Sequence, residues 1–385
     1  MRVPISAFLL TALLGSAAAG DEPQAAPTPS ATDASAQVAR LIADGTKLHD
    51  RGDYDGAIAT YRKALAVDPG NPQALYEIAY SQYQKKDLKG ALATAEEAGR
   101  AALQPKMLAV LVGNIQDDLG EPGKAIAAYR KGLVADPAFF LLYFNLGTTY
   151  VRSGQLDLAR IAFENAVALE PRHPGSHFGL ARVYKEQGYR VPAILAATRF
   201  LVLESGTPRA AQAAQWIDDL FRLGVEEKSK TETSITIDPD APKDEGDFTA
   251  TDVMVPMLQA SQKTIQQAGG TLDGPPEMSR LAQLLAVVGE FGEKDPGNGF
   301  AMEYYVPFNV ALVRKDATAA LAAIALRGNR SKEIEAWTSG HRKAIEDAVS
   351  VINGFKWSTA RPALPTDPPS SPAPAAPPTR HPAGA

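Results

Sequence analysis

The sequence predicts an all-α protein whose main part is a right-handed solenoid of helical hairpins, and three periodic features support this. Alanine recurs every 34 residues, at Ala57, Ala91, Ala125, Ala159 and Ala193. Twelve positions earlier a small residue keeps the same spacing, at Gly45, Ala79, Gly113, Gly147 and Ala181. A turn glycine recurs in the same register, at Gly52, Gly120, Gly154 and Gly188. A constant period of this length is typical of stacked helix pairs.

Each column has a physical reason. The two small columns mark where the helices of a hairpin approach closely, because a large side chain there would separate them. A bulkier column, Tyr61, Tyr129 and Phe163, fills the space between hairpins, with Ala95 and Ala197 as departures. The turn glycines favour a left-handed backbone, and Lys86 is the exception. Proline ends the second helix at Asp68-Pro69, Asp136-Pro137 and Glu170-Pro171.

These columns resemble the tetratricopeptide repeat (TPR) family. The match is best over residues 45–69, GTKLHDRGDYDGAIATYRKALAVDP, and nearly as good over 146–171. We place a TPR solenoid at 38–225, made of five repeats and a cap helix at 38–71, 72–105, 106–139, 140–173, 174–207 and 208–225. The resemblance implies a protein-binding role, with the first helix of each repeat lining a concave face.

The cap helix opens with Pro208 and carries a predicted apolar side facing the last repeat. That side consists of Ala211, Ala214, Trp216, Leu220 and Leu223. We expect the opposite side to be solvated, as the end of a solenoid requires.

A candidate binding site follows from rotating the packing stripe of each first helix by one residue, which turns it toward the concave side. The resulting positions are Tyr76, Tyr80, Tyr83, Val110, Asn114, Phe144, Thr148, Phe178 and Arg182. Aromatic side chains give a large contact area at low entropy cost, which suits an extended or helical peptide partner. The alternative is that these aromatics only thicken the packing between repeats.

One binding mode known in the family can be tested on the sequence. Some of its members hold C-terminal carboxylates with a clamp of lysine, arginine and asparagine. Asn114 and Asn145 occupy asparagine positions of that clamp, but the basic positions hold Val110, Gly175 and Gly179. We therefore do not expect an anionic C-terminus as the ligand.

The two ends of the chain have the composition of processing and linker segments. Residues 1–19 predict a secretory signal peptide, with an early arginine, a short apolar run and cleavage after about Ala19. A flexible linker is expected at 20–37 and a Pro-rich disordered tail at 361–385. We expect a periplasmic or secreted protein with no integral membrane span and no disulfide, since cysteine is absent.

Between the solenoid and the tail we predict an acidic linker at 226–250 and a helical C-terminal domain at 251–360. Helical patterns cover 252–267, 277–289, 300–314, 317–326 and 332–355, with Ala317–Ile324 as the most buried helix. The segment Met302–Phe308 is expected to kink at Pro307. It predicts either a kinked core helix or an aromatic ligand groove.

The search for chemistry yields no catalytic residue, metal site or cofactor motif. His173 and His177 are separated by Pro-Gly, which places His173 in a turn rather than on a shared helical face. Ser339 and His341 fit a solvated helix surface. With 39 basic and 44 acidic residues and no basic stripe, nucleic-acid binding is excluded as well.

The sequence therefore predicts a non-enzymatic adaptor or scaffold of the cell envelope that binds a protein or peptide on the concave TPR face. One alternative is an enzyme or sensor with its activity in 251–360, the solenoid recruiting its substrate. A buried carboxyl with a shifted pKa, or His341, in a closed pocket there would favour it. Another is a self-assembling protein that stacks through the cap around Trp216.

Overall fold

A computed structural model describes residues 31–101, 105–229, 232–267, 272–294, 297–329 and 331–364. The predicted signal peptide, linker residues 20–30 and tail residues 365–385 lie outside these ranges. Among the described helices, none combines the length and apolar composition that a membrane span requires.

Paired helices follow one another along the first part of the chain, and each packs mainly against the next. The bounds are α1 Ala31–Asp50, α2 Tyr54–Val67, α3 Pro72–Gln84, α4 Leu88–Arg100, α5 Pro105–Asp118, α6 Pro122–Ala135, α7 Phe140–Arg152, α8 Leu156–Leu169, α9 Pro174–Glu186, α10 Arg190–Leu203 and the cap α11 Pro208–Arg222. The predicted all-α solenoid is confirmed. The linker expected at 20–37 is wrong over its last residues, because α1 already begins at Ala31.

The turn glycines have the predicted left-handed conformation, with φ of +81° at Gly52 and +79° at Gly120. Lys86 keeps the same turn with φ of +68° despite its side chain. The second helix then starts from a capped position, since Asp53 and Asp87 accept hydrogen bonds from Gly56 N and Gly90 N at 2.9 and 3.1 Å.

The remaining elements lie after the cap. They are β1 Val225–Glu227, β2 Thr233–Ile235, α12 Thr249–Gln267, α13 Pro276–Lys294, α14 Phe300–Tyr304, α15 Val306–Val313, α16 Thr318–Leu326, a 3₁₀ turn Arg327–Asn329, α17 Lys332–Gly340 and α18 Arg342–Gly354. The two strands pair antiparallel, with Val225 opposite Ile235. The single helix expected at 332–355 is wrong, because the helix is interrupted at His341.

Helix α16 is the most apolar of this part, and every residue from Ala320 to Leu326 is buried. It packs on α10, whose residues from Val191 to Val202 are all buried. An outer helix of a solenoid normally keeps one polar side. Here that side is covered, and one continuous hydrophobic cluster joins repeats three to five with the C-terminal helices.

The segment predicted as an acidic linker, 226–250, is docked rather than free where the chain re-enters the core. Glu245 is 2% exposed and forms an ion pair with Arg160 of α8. Its Oε2 accepts a hydrogen bond from Tyr184 Oη at 2.9 Å and one from Ala301 N at 3.2 Å. A buried carboxylate with this many donors fixes the position of the chain.

The segment Met302–Phe308 breaks between α14 and α15 beside Pro307, as predicted, and its aromatic side chains are buried. The Oη of Tyr304 donates to the carbonyl of Val167 at 2.8 Å, and the Oη of Tyr305 lies 2.9 Å from Nδ1 of His177. Trp357 packs on Tyr304 with ring centroids 4.8 Å apart. Of the two interpretations, the kinked core helix is the one observed.

Candidate functional site

The nine predicted site residues lie on the first helices of repeats two to five. Thr148 and Arg182 are exposed, and the other seven are half-buried. Their 34-residue spacing places them in columns that continue from one repeat to the next. The structure divides them into a tyrosine group on α3 and an aromatic groove further along.

The tyrosine group is a stacked row that belongs to repeats one and two. Tyr80 stacks on Tyr76 at 6.3 Å and on His49 of α1 at 4.8 Å between ring centroids. The pKa of Tyr83 is raised to about 12, first by burial and then by the neighbouring carboxylate of Asp118. The row therefore combines half-open ring faces with hydroxyl groups that stay protonated.

Two of the predicted polar residues are already engaged within the protein. Asn114 Oδ1 accepts hydrogen bonds from Tyr129 Oη at 2.8 Å and from Asn145 Nδ2 at 3.0 Å. The Oγ1 of Thr148 donates to the carbonyl of Phe144 at 3.0 Å. Asn114 thus ties repeat three to repeat four, and its carbonyl oxygen is taken up by that contact.

The aromatic groove, which we define by Phe144, Thr148, Phe178, Arg182 and Trp216, lies across α7, α9 and α11. Its first depression, about 290 Å³, contains Phe144, Thr148 and Phe178. A second of about 430 Å³ adjoins it, shares Phe178 and Arg182, and ends on Trp216. The groove is therefore continuous from repeat four to the cap.

Two glycines open the floor of this groove. A Cβ at Gly179 would come within 2.5 Å of the ring of Phe163, and one at Gly175 within 3.1 Å of Phe144. Any side chain at Gly179 would displace the Phe163 ring from its site between α7 and α9. The absence of side chains here leaves the ring edges of Phe144 and Phe163 accessible from the groove.

Trp216 is the site residue that the sequence reasoning missed, since it was assigned to the apolar packing side of the cap. The packing side consists instead of Ala210, Ala213, Ile217, Leu220 and Phe221, while Leu223 is 56% exposed. Trp216 stacks on Phe178 with centroids 4.9 Å apart. Its position could have been found by extending the period once more, because it follows Arg182 by 34 residues.

Two segments of the chain match family models directly. Residues 45–86 match a TPR repeat model, and residues 140–173 match the tetratricopeptide repeat model. The solenoid is built of tetratricopeptide repeats. These two matches cover the first and fourth of the predicted TPR units and continue into the second.

One curated relative shares sequence with part of this TPR chain. It is cellulose synthase operon protein C of Pseudomonas fluorescens (strain SBW25), 32% identical over 129 residues. The match covers 31% of this chain and 10% of that protein, so the chain spans about a tenth of the relative's length.

Solved structures with a similar course of the chain cover about half of it. The MamA protein is 20% identical, covers 47% of this chain and 96% of its own, and gives a TM-score of 0.39. PilF of Pseudomonas aeruginosa is 18% identical, covers 49% and 91%, and gives 0.42. YrrB, described as a TPR protein with an unusual peptide-binding site, is 20% identical, covers 47% and 84%, and gives 0.34.

The paired histidines of the fifth TPR unit have structural partners. His173 caps α9, where its Nδ1 accepts from Ser176 N at 3.2 Å. His177 is fully buried, and burial lowers its pKa to about 3. Within the described ranges, no cluster of three or more histidine or carboxylate side chains could hold a metal ion.

A further cavity of about 450 Å³ lies in the region after the TPR units, lined by Lys243, Asp247, Phe248, Phe291 and Asn298 among others. The carboxyl groups with raised pKa lie elsewhere. Burial raises the pKa of Glu164 to about 7 and that of Asp252 to about 6, and these side chains face Arg160 and Arg190 respectively. His341 stacks on Trp337 at 4.1 Å, outside this cavity.

Proposed function

We propose that this protein is a non-enzymatic adaptor of the cell envelope that holds a segment of a partner protein along the inner face of its TPR solenoid. The proposal combines three elements. The TPR architecture supports a role in protein interaction, the aromatic groove supplies a place for the partner, and residues 1–19 have the composition of an export signal.

One observation carries the proposal, namely that the ring stack of Phe178 and Trp216 borders an open groove. The first predicted alternative, packing between repeats, accounts for rings that are covered by neighbouring helices. It does not account for two adjoining depressions whose shared wall is an aromatic side chain. Half-exposed aromatic rings in a concave surface are typical of sites that bind peptides.

The proposal is tested by quantitative affinity capture from envelope extract, comparing the wild type with F144A/F178A and with Y76A/Y80A. Loss of the aromatic contact area should reduce specific partners about tenfold, a change equivalent to about 1.4 kcal/mol. The control is F291A, which removes a comparably exposed ring (48%) on α13 outside the solenoid.

The expected result is loss of the same partners in one or both groove variants and their retention in the control. If every groove variant captures the wild-type set at wild-type amounts, the groove is not the binding site. If F291A alone loses partners, the function belongs to the C-terminal helices. Circular dichroism of each variant confirms that the fold is retained.

A further inference from the structure

Arginines border the aromatic groove, and the residues described along its first depression include no carboxylate. Arg152 comes from α7, Arg182 from α9 and Arg209 from α11. Each side chain is about half exposed. Three positive charges therefore converge on one apolar depression from three successive helices.

Each arginine has one carboxylate partner, which lies beside the depression rather than in its lining. Arg182 Nε lies 2.6 Å from Glu186 Oε1, and Arg209 Nη2 lies 2.5 Å from Glu204 Oε2, while Arg152 pairs with Asp117. Exposed ion pairs of this kind contribute little stability. Because a guanidinium has five N–H donors, each arginine retains donors for a ligand carboxylate.

The depression between these charges fits a large apolar side chain. Its walls are the rings of Phe144 and Phe178, and Gly175 and Gly179 leave its floor without side chains. The guanidinium of Arg209 also lies over the ring of Phe178 at 5.7 Å. An apolar group inserted here would contact ring faces while its neighbours along the peptide pass the arginines.

The charge changes sign along the solenoid. On α5 the corresponding positions of repeat three are Asp117 and Asp118, and Asp118 lies beside the hydroxyl of Tyr83. A ligand carboxylate is repelled at that end and attracted toward the cap. The gradient therefore favours a single direction for a bound peptide.

We infer that the groove takes an internal peptide segment with a large apolar side chain, aromatic or leucine, next to aspartate or glutamate. The apolar group occupies the depression between Phe144 and Phe178, and the acidic group contacts Arg182 and Arg209. This inference rests on the proposed function and specifies the chemistry of the partner. It differs from a carboxylate clamp, because the acidic group is a side chain and not the end of a chain.

The test is selection from a display library of short random peptides, followed by affinity measurement on C-terminally amidated synthetic copies of the enriched sequences. We expect enrichment of a large apolar residue beside Asp or Glu. The double variant R182E/R209E should weaken binding of these peptides about tenfold, or about 1.4 kcal/mol, and F178A should weaken it similarly. A copy with Lys in place of the acid should bind the double variant better than the wild type.

The matched control is R62E/K131E, which reverses two exposed charges on α2 and α6, and it should leave affinity unchanged. Peptides that need Phe178 but show no acidic preference, or that ignore R182E/R209E, overturn this inference and leave the proposed function standing. A library that yields no binder sensitive to F178A contradicts the proposed function as well. Thermal unfolding of each variant verifies that loss of binding is not loss of fold.

Discussion

At the scale of single residues, side-chain volumes are matched in pairs inside the hairpins. Where the first helix has glycine, the second has a ring, as in Gly45 with Tyr61, Gly113 with Tyr129 and Gly147 with Phe163. In repeats two and five the equivalent positions are alanine in both helices, all of them buried: Ala79, Ala95, Ala181 and Ala197. The total volume between the helices is thus held nearly constant.

This matching predicts a non-additive mutational effect in repeat three. G113A should destabilise by about 2 kcal/mol, because the added Cβ collides with the ring of Tyr129 although alanine is the better helix former. Y129A should destabilise by about 3 kcal/mol through its cavity and the lost hydrogen bond to Asn114. Combined, they recreate the alanine pair of repeats two and five.

The double variant G113A/Y129A is therefore expected to be more stable than the sum of the single effects by about 1 kcal/mol or more. Urea denaturation of the four proteins measures this coupling. Strict additivity would show that the glycine is required by something other than the ring. The pair G147A and F163A provides an independent repetition, since a Cβ at Gly147 would lie 2.8 Å from Phe163.

At the scale of elements, the docked segment around Glu245 joins α8, α9 and α14. Tyr184 Oη lies 3.2 Å from Glu164 Oε1 and 2.9 Å from Glu245 Oε2. A hydroxyl has one hydrogen, so it can serve one carboxylate, and the other is best satisfied by carrying a proton of its own. Burial accordingly raises the pKa of Glu164 to about 7, and the charge of Arg160 only partly opposes this.

This raised pKa gives a pH prediction with a definite sign. An unfolded glutamate has a pKa of about 4.3, so between that value and about 7 the folded protein holds a proton that the unfolded chain has lost. Raising the pH through 7 therefore weakens the fold of the wild type. E164Q cannot titrate and should lose less stability between pH 5 and pH 8.

Urea unfolding at several pH values measures this difference, with E97Q on the exposed side of α4 as the control. Asp252 acts with the same sign as Glu164. His177 acts with the opposite sign, because its pKa is lowered to about 3 and the unfolded chain gains the proton first. Both groups are present in all three proteins, so parallel curves for the wild type and E164Q would contradict the assignment.

The same elements show how far the sequence could be read. The hairpins and their turns were predictable because each contact repeats every 34 residues. Glu245 was not, since a single glutamate among acidic residues looks like linker, and its partners Arg160 and Ala301 are distant in sequence. For α10 a signal was present: the sequence RVPAILAATRFLVL lacks the polar side that an outer helix needs, which indicates a second layer over it.

The binding site was predictable to a similar extent. The inner column located Phe144 and Phe178 from periodicity alone. The role of Trp216 was missed because the cap was treated as the end of the pattern, although the column continues into it. The border of arginines was also missed, since Arg152 and Arg209 lie in neighbouring columns and meet only when three helices pack side by side.

At the scale of the whole molecule, the hydrophobic core is uneven. Repeats one and two contain a separate small cluster around Tyr61, and a second cluster joins repeats two and three around Ala91. From repeat three onward, one large cluster includes the C-terminal helices. Helix α10 packs against α9, α11 and α16, whereas α2 packs mainly against α1 and α3.

This unevenness predicts the order of local unfolding. Hydrogen exchange measured by mass spectrometry should be faster in α1 to α4 than in α8 to α10, because fewer apolar contacts must be broken to open them. Low urea should increase exchange in α1 to α4 first. Equal protection of both groups, or earlier opening of α10, would contradict the prediction.

The second layer over α10 also has a mechanical consequence. The aromatic groove sits on helices backed by α16 and by the docked segment around Glu245, whereas the tyrosine row on α3 has no such backing among the described residues. Stiffness therefore varies along the inner face: a partner anchored at the cap end would meet an unyielding wall, and the far end could bend to follow its contour. Pulling on the two ends should stretch the protein in two stages, the compliant half first.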